Sequence, residues 1–156
     1  MKKMANKSFI IIPLVFILII SSCAKNTVDI TRPMFAVSAP AYKDSKTDSR
    51  CVIGGVYFDF YNRADCSVIY LETRMNVYDR GTQKNAFAGY GTLENGSSLV
   101  IKSGEKKQLC VSLDDYITAV SKEGYCIDQF YISRIEYEDG RVWIDNFGLY
   151  ALSSGE

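Results

Sequence analysis

Histidine is absent from all 156 residues. That removes the commonest general base and the commonest metal ligand together. Proline occurs three times, at Pro13, Pro33 and Pro40, and nowhere in the remaining chain, which leaves a long stretch free to pair as strands. Basic and acidic side chains balance at 18 each with no lysine- or arginine-rich block, so nucleic acid finds no electrostatic footprint. No apolar run reaches the roughly 20 residues a membrane-spanning helix needs. The longest, Phe9 to Ile20, is too short and is broken by Pro13. The chain also lacks a phosphate-cradling glycine motif, a GxSxG elbow and a calcium-loop pattern.

What is present begins at the N-terminus. Lys2, Lys3 and Lys7 precede the apolar run, and Ile20-Ser21-Ser22-Cys23 ends it. A basic start, a short apolar run and small residues at a cut site describe a secretory signal. The last four residues resemble the bacterial lipobox. That resemblance implies cleavage between Ser22 and Cys23, a diacylglycerol on the Cys23 thiol and acylation, as by palmitate, of the new amino group. Several acyl chains make a stable anchor where one is marginal. Ala24, not an aspartate, follows the cysteine. The sorting pattern of such lipoproteins then favours the outer over the inner membrane of the cell envelope.

Removing residues 1–22 takes three lysines from the 18 basic side chains, leaving 15 against 18 acidic ones. Residues 23–50 hold Pro33 and Pro40 among scattered Lys, Asp, Ser and Thr, and read as a flexible tether. As a coil it would hold the following domain roughly 30 Å from the membrane. Met34 to Val37 could dock as an extra edge strand.

Residues 51–156 alternate with period two. Val56, Phe58 and Phe60 alternate with Tyr57, Asp59 and Tyr61; Ile69, Leu71, Thr73, Met75 and Val77 alternate with Tyr70, Glu72, Arg74, Asn76 and Tyr78. Asn62-Arg63-Ala64-Asp65 reads as the turn joining these arms. Ala86 to Leu93 suggests a weaker strand, and Asn95-Gly96 a hairpin turn into Leu99-Val100-Ile101. Asp114 suits a cap for a helix from Asp115 to Lys122, closed by Gly124. Asp139-Gly140 joins Ile127–Glu138 to Arg141–Tyr150, where Trp143 and Phe147 are large enough to anchor a core. The first of those arms changes phase, and a bulge near Ser133-Arg134 would turn Phe130, Ile132, Ile135 and Tyr137 to one side. About seven strands with regular turn signals predict an all-β, immunoglobulin-like antiparallel sandwich with one short helix, with an open barrel as the alternative.

Met75-Asn76-Val77-Tyr78-Asp79-Arg80-Gly81 resembles the signature of the FxLYD-type domains, with methionine and valine in place of phenylalanine and leucine. The strand Phe58 to Asn62 before it and Tyr137-Glu138-Asp139-Gly140 near the end fit that family's layout. The resemblance implies a small extracytoplasmic sandwich in a lipoprotein, and it brings no catalytic residues or cofactor.

Cys51, Cys66, Cys110 and Cys126 are an even set in an exported chain, which suggests disulfides. In an immunoglobulin-like order Cys66 and Cys126 would begin the second and sixth strands and meet, leaving Cys51 to pair with Cys110. The alternative is that some stay as buried thiols. Their wide spacing disfavours a metal site, and without histidine no base activates a cysteine nucleophile. The acids Asp114/Asp115 and Glu136/Glu138/Asp139 are explained by capping and solubility. If the first two arms form a hairpin, Tyr61 faces Tyr70 and Tyr57 faces Arg74, with Tyr78 further along. That outer face would suit an interface with another envelope protein. The whole points to a non-catalytic interaction or accessory module; a small-ligand carrier or enzyme on the same sandwich is the alternative.

Overall fold

The computed structural model describes residues 32–87, 91–118 and 120–154. The signal, Cys23 and the first part of the tether lie outside them. Among the described residues eight strands pair wholly antiparallel: β1 (Phe35–Val37), β2 (Ala41–Asp44), β3 (Gly54–Asn62), β4 (Val68–Asp79), β5 (Leu93–Ile101), β6 (Lys106–Ser112), β7 (Tyr125–Tyr137) and β8 (Val142–Ile144). In one sheet β3 is flanked on one side by β1 and β2 and on the other by β6; the second sheet runs β5-β4-β7-β8. This is an immunoglobulin-like sandwich, as the alternating pattern predicts.

The core lies between the sheets. Val56, Phe58 and Phe60 of β3 face Leu71, Met75 and Val77 of β4 and Phe130, Ile132 and Ile135 of β7. The Phe58 and Phe130 rings meet at 4.7 Å. On β7 the phase change is resolved as the sequence suggests. Thr73 pairs with Ile132 but Glu72 with Arg134, so Ser133 is the extra residue of a bulge. Phe130, Ile132, Ile135 and Tyr137 are all buried as a result, and the Ser133 hydroxyl donates to Glu72 at 2.5 Å.

Several local expectations are corrected. The tether ends earlier than residue 50: β1 and β2 both pair with β3, and Phe35 stacks on Phe60 at 5.4 Å. The arms around Asn62–Asp65 are not a hairpin, because β3 and β4 belong to different sheets. Ala64, read as a turn residue, is buried in the core. Asn95 and Gly96 lie inside β5 opposite Thr73 and Glu72. The Tyr70 ring lies over the bare backbone at Gly96, where a Cβ would sit 2.1 Å from its hydroxyl and push the ring aside. Of the weak strand Ala86–Leu93, Leu93 begins β5, while Asn85 bridges to Tyr78.

No helix occurs among the described residues. The expected one is reduced to a turn in which Tyr116 and Ile117 donate to the Leu113 carbonyl. Its cap has another use: Asp114 accepts from the backbone of Val52 and Ile53 at 2.8 and 2.7 Å. The last hairpin forms, but Gly140 alone takes a positive φ, of 85°. Gly140 N–H bonds to Tyr137 O, and Tyr137 N–H to Arg141 O, a three-residue loop with glycine in the left-handed position. Its second arm stops at Ile144, and Phe147 stands 87% exposed, outside the core.

Two crossings between the sheets meet at Asn62, which is fully buried. Its side-chain amide donates to the carbonyls of Cys66, Ile101 and Lys102 at 2.8, 3.0 and 3.2 Å. Its side-chain oxygen accepts from Ala64 N–H at 3.0 Å. Its backbone bonds to Glu105 O and Gly104 N–H. Asn62→Ala should therefore lower the unfolding free energy by about 2 kcal/mol, because the buried Ile101 carbonyl and two partly buried ones lose their donor. Urea unfolding would read this as a lower midpoint at unchanged slope.

Candidate functional site

The tyrosine face expected from the sequence is divided by the fold. Tyr57 and Tyr61 belong to β3, whereas Tyr70, Arg74 and Tyr78 belong to β4 in the opposite sheet. Outward residues of the two sheets look in opposite directions, so the five do not form one surface. Tyr61 pairs across the strands with Ala36 and Lys106, not Tyr70. Tyr70 lies across from Ser98 and Glu136. Arg74 is tied into a charged ladder with Glu94 at 2.7 Å and Glu72 at 3.9 Å. Cross-strand pairs of this kind stabilise a solvated sheet face.

Around Tyr57 a compact polar cluster is built instead. Cys110 lies directly across from Tyr57 on β6. The segment before β3 folds over this pair and carries Cys51 to within 3.6 Å of the Cys110 sulfur and 3.8 Å of the Tyr57 hydroxyl. Gly55 makes the room, since a Cβ there would lie 2.6 Å from the Cys110 sulfur and 2.9 Å from that of Cys51. Asp114 pins the segment from one end. At the other, Arg50 holds Asp48 at 2.7 Å and Gln108 of β6 at 3.1 Å. Lys43 and Arg50 each approach the Tyr57 ring at 4.7 Å, a cation–π arrangement.

The electrostatics of this cluster argue against nucleophilic chemistry. Burial, despite the Tyr57 hydroxyl, raises Cys110 to about 11, and burial with the two thiols as neighbours raises Tyr57 as well. A reactive cysteine needs the opposite shift. Asp114 is held below the usual carboxylate range by the Val52 and Ile53 amides, which keeps it ionised as an acceptor.

The other two cysteines are far apart. Tyr78 on β4 pairs with Cys126, while Val68 pairs with Tyr137. Cys66 precedes Val68 by two residues, so the length of β4, about 40 Å at strand rise, separates it from Cys126. The Cys66–Cys126 pairing therefore does not form. The sequence count left out β1 and β2, so Cys66 precedes the fourth strand, β4, and does not begin the second. No disulfide joins the four cysteines in this structure.

Among the described residues, Asp65, Cys66 and Asp139 bring donor atoms within 4.8 Å of one another. The Arg141 guanidinium already occupies their centre. It bonds to Asp65, to Asp139 at 2.6 Å and to the Cys66 sulfur at 3.1 Å. Both carboxyls are held low, Asp65 chiefly by the Arg141 side chain and Asp139 chiefly by the Arg141 backbone N–H. The cluster is a clamp in which one guanidinium bridges two carboxylates across the start of β4 and the β7–β8 turn.

In comparisons with known proteins, no family model, no curated protein and no solved structure matches this chain.

In reduced protein, Cys110 should react with iodoacetamide about a hundredfold more slowly at pH 8 than an ordinary thiol, whose pKa is about 8.5. Its rate should climb with pH until about 11. The fold favours the neutral thiol, so this stabilising contribution is present below the ordinary thiol pKa and fades as pH rises through it towards the raised one. Peptide mapping after timed alkylation reads the rate.

Proposed function

We propose that this chain is a lipid-anchored protein of the bacterial cell envelope, cut before Cys23 and acylated there, with its sandwich serving as a non-catalytic interaction or accessory module. The observation that carries the reading is Ile20-Ser21-Ser22-Cys23 at the end of a short apolar run behind three lysines. The FxLYD-like motif agrees with it. Its first residue, Met75, points into the core and Tyr78 points out, so the motif serves the strand and supplies no reactive group. Ala24 after the lipid site favours the outer membrane. The partner is another envelope protein.

The interior adds support for a module. Buried side chains of both sheets form one continuous core, and the concavity lined by polar groups, Lys43, Asp44, Thr47, Ser121, Lys122 and Glu123, lies open at the surface. A carrier or enzyme on this frame would need a concave pocket with convergent polar groups.

In an oxidising envelope the Cys51 and Cys110 thiols would close to a disulfide. The two thiols give up two protons, and two electrons pass to an exchanging disulfide oxidant. A bond across 59 positions would add about 4 kcal/mol in the chain-entropy treatment. Cys66 and Cys126 would remain thiols. The alkylation assay without reductant reads this pairing: Cys66 and Cys126 label while Cys51 and Cys110 do not. Labelling of all four would exclude it.

Cys23→Ser should move the protein from the membrane pellet to the soluble envelope fraction while leaving its urea midpoint unchanged. Continued pelleting of the processed variant would show that another anchor holds it.

A further inference from the structure

Along one lateral edge of the sandwich, where β1 and β8 meet, the surface is apolar in a way packing does not explain. Phe147 is 87% and Leu149 75% exposed. With Trp143, Ile144 and Tyr150 they line a cavity of about 230 Å³. The loop that presents them is held in shape: the buried Asp145 carboxylate accepts from the Phe147 and Tyr150 amides at 3.0 and 3.3 Å. Gly148 takes a φ of 67° beneath the Tyr131 ring. Asn146 to Ser154 carries no charged side chain. A fixed loop that holds two large apolar groups in water marks an interaction surface.

We infer that this edge lies against the lipid bilayer, with Phe147 and Leu149 entering its interface. The inference rests on the lipid-anchor reading above. The chain coming from Cys23 joins the sandwich on this edge. Pro33, Phe35 and Tyr150 line one concavity, and the Phe35 and Trp143 rings meet at 4.9 Å. Ten peptide steps separate Cys23 from Pro33, a reach of at most about 36 Å. An acyl anchor at Cys23 therefore keeps this edge within one domain width of the membrane. Trp143 and Tyr150 are of the residue types that settle at the headgroup level. Because the loop is uncharged, insertion depends on apolar contact, so zwitterionic lipid suffices. Two side chains bind weakly alone; tethering supplies the effective concentration that makes the contact persistent.

The test replaces the natural anchor, so that a failure of acylation and a failure of docking are read separately. Residues 24–156 with an N-terminal hexahistidine tag are bound to phosphatidylcholine vesicles containing a nickel-chelating lipid. The chain has no histidine of its own, so the tag is the sole imidazole tether. Trp143 is the single tryptophan and lines the same cavity as Phe147 and Leu149. Brominated acyl chains should quench its emission, and at least fivefold less in Phe147→Ser/Leu149→Ser, whose urea midpoint should match the wild type because both positions are exposed. Equal quenching in the two proteins, or none beyond that from unbrominated lipid, would overturn the inference. So would a wild-type dimer by sedimentation that the double variant loses, which would assign the edge to a second copy of the chain.

Discussion

The fold depends on the carboxamide of Asn62. Two segments cross from one sheet to the other at the same corner: residues 63–67 leave β3 for β4, and residues 102–105 leave β5 for β6. Each crossing buries backbone carbonyls that the sheet ladders cannot satisfy. One side chain with two donors and one acceptor serves both, and its own backbone joins the second crossing. A buried polar group placed this way sets which strands are neighbours, because only one arrangement satisfies it. The aromatic core then fills the space between sheets whose relation is already fixed.

This corner also explains which parts of the structure the sequence made legible. Alternation states which side of a strand is apolar, and it did so well for β4 and for the bulged β7. It does not state which strand lies alongside, since a hairpin and a crossing between sheets preserve the same in–out order. The stretch Asn62–Asp65 looks like a turn in either case, and the error there divided the expected tyrosine face between two opposite surfaces. Asn95-Gly96 misled for a related reason. Glycine reads as conformational freedom, whereas in the strand it leaves the space that the Tyr70 ring fills. Met34 to Val37 reads as a possible edge strand and is β1, whereas β2, after Pro40, gives too little periodicity to count. Leaving both out of the order made the strand after Cys66 the second instead of the fourth and mispaired Cys66 with Cys126.

The polar clusters of the sandwich have structural partners. The two thiols that lie together, Cys51 and Cys110, sit with a buried phenol in surroundings that favour neutral forms. The acidic cluster at Asp65 and Asp139 is already bridged by Arg141. Such groups hold segments in place. What remains unexplained by packing is the apolar edge at Phe147 and Leu149. No sequence signal marked it, because an aromatic residue near a core tryptophan reads as more core until the strand is seen to stop at Ile144.

The account as a whole requires that the sandwich be carried by acyl chains on its first mature residue. Mass spectrometry of the N-terminal peptide from protein extracted out of native envelopes tests that directly. The account predicts a peptide beginning at Cys23 with the mass of a diacylglyceryl thioether and an acylated amino group. An unmodified Cys23, or cleavage at any other bond, would contradict it.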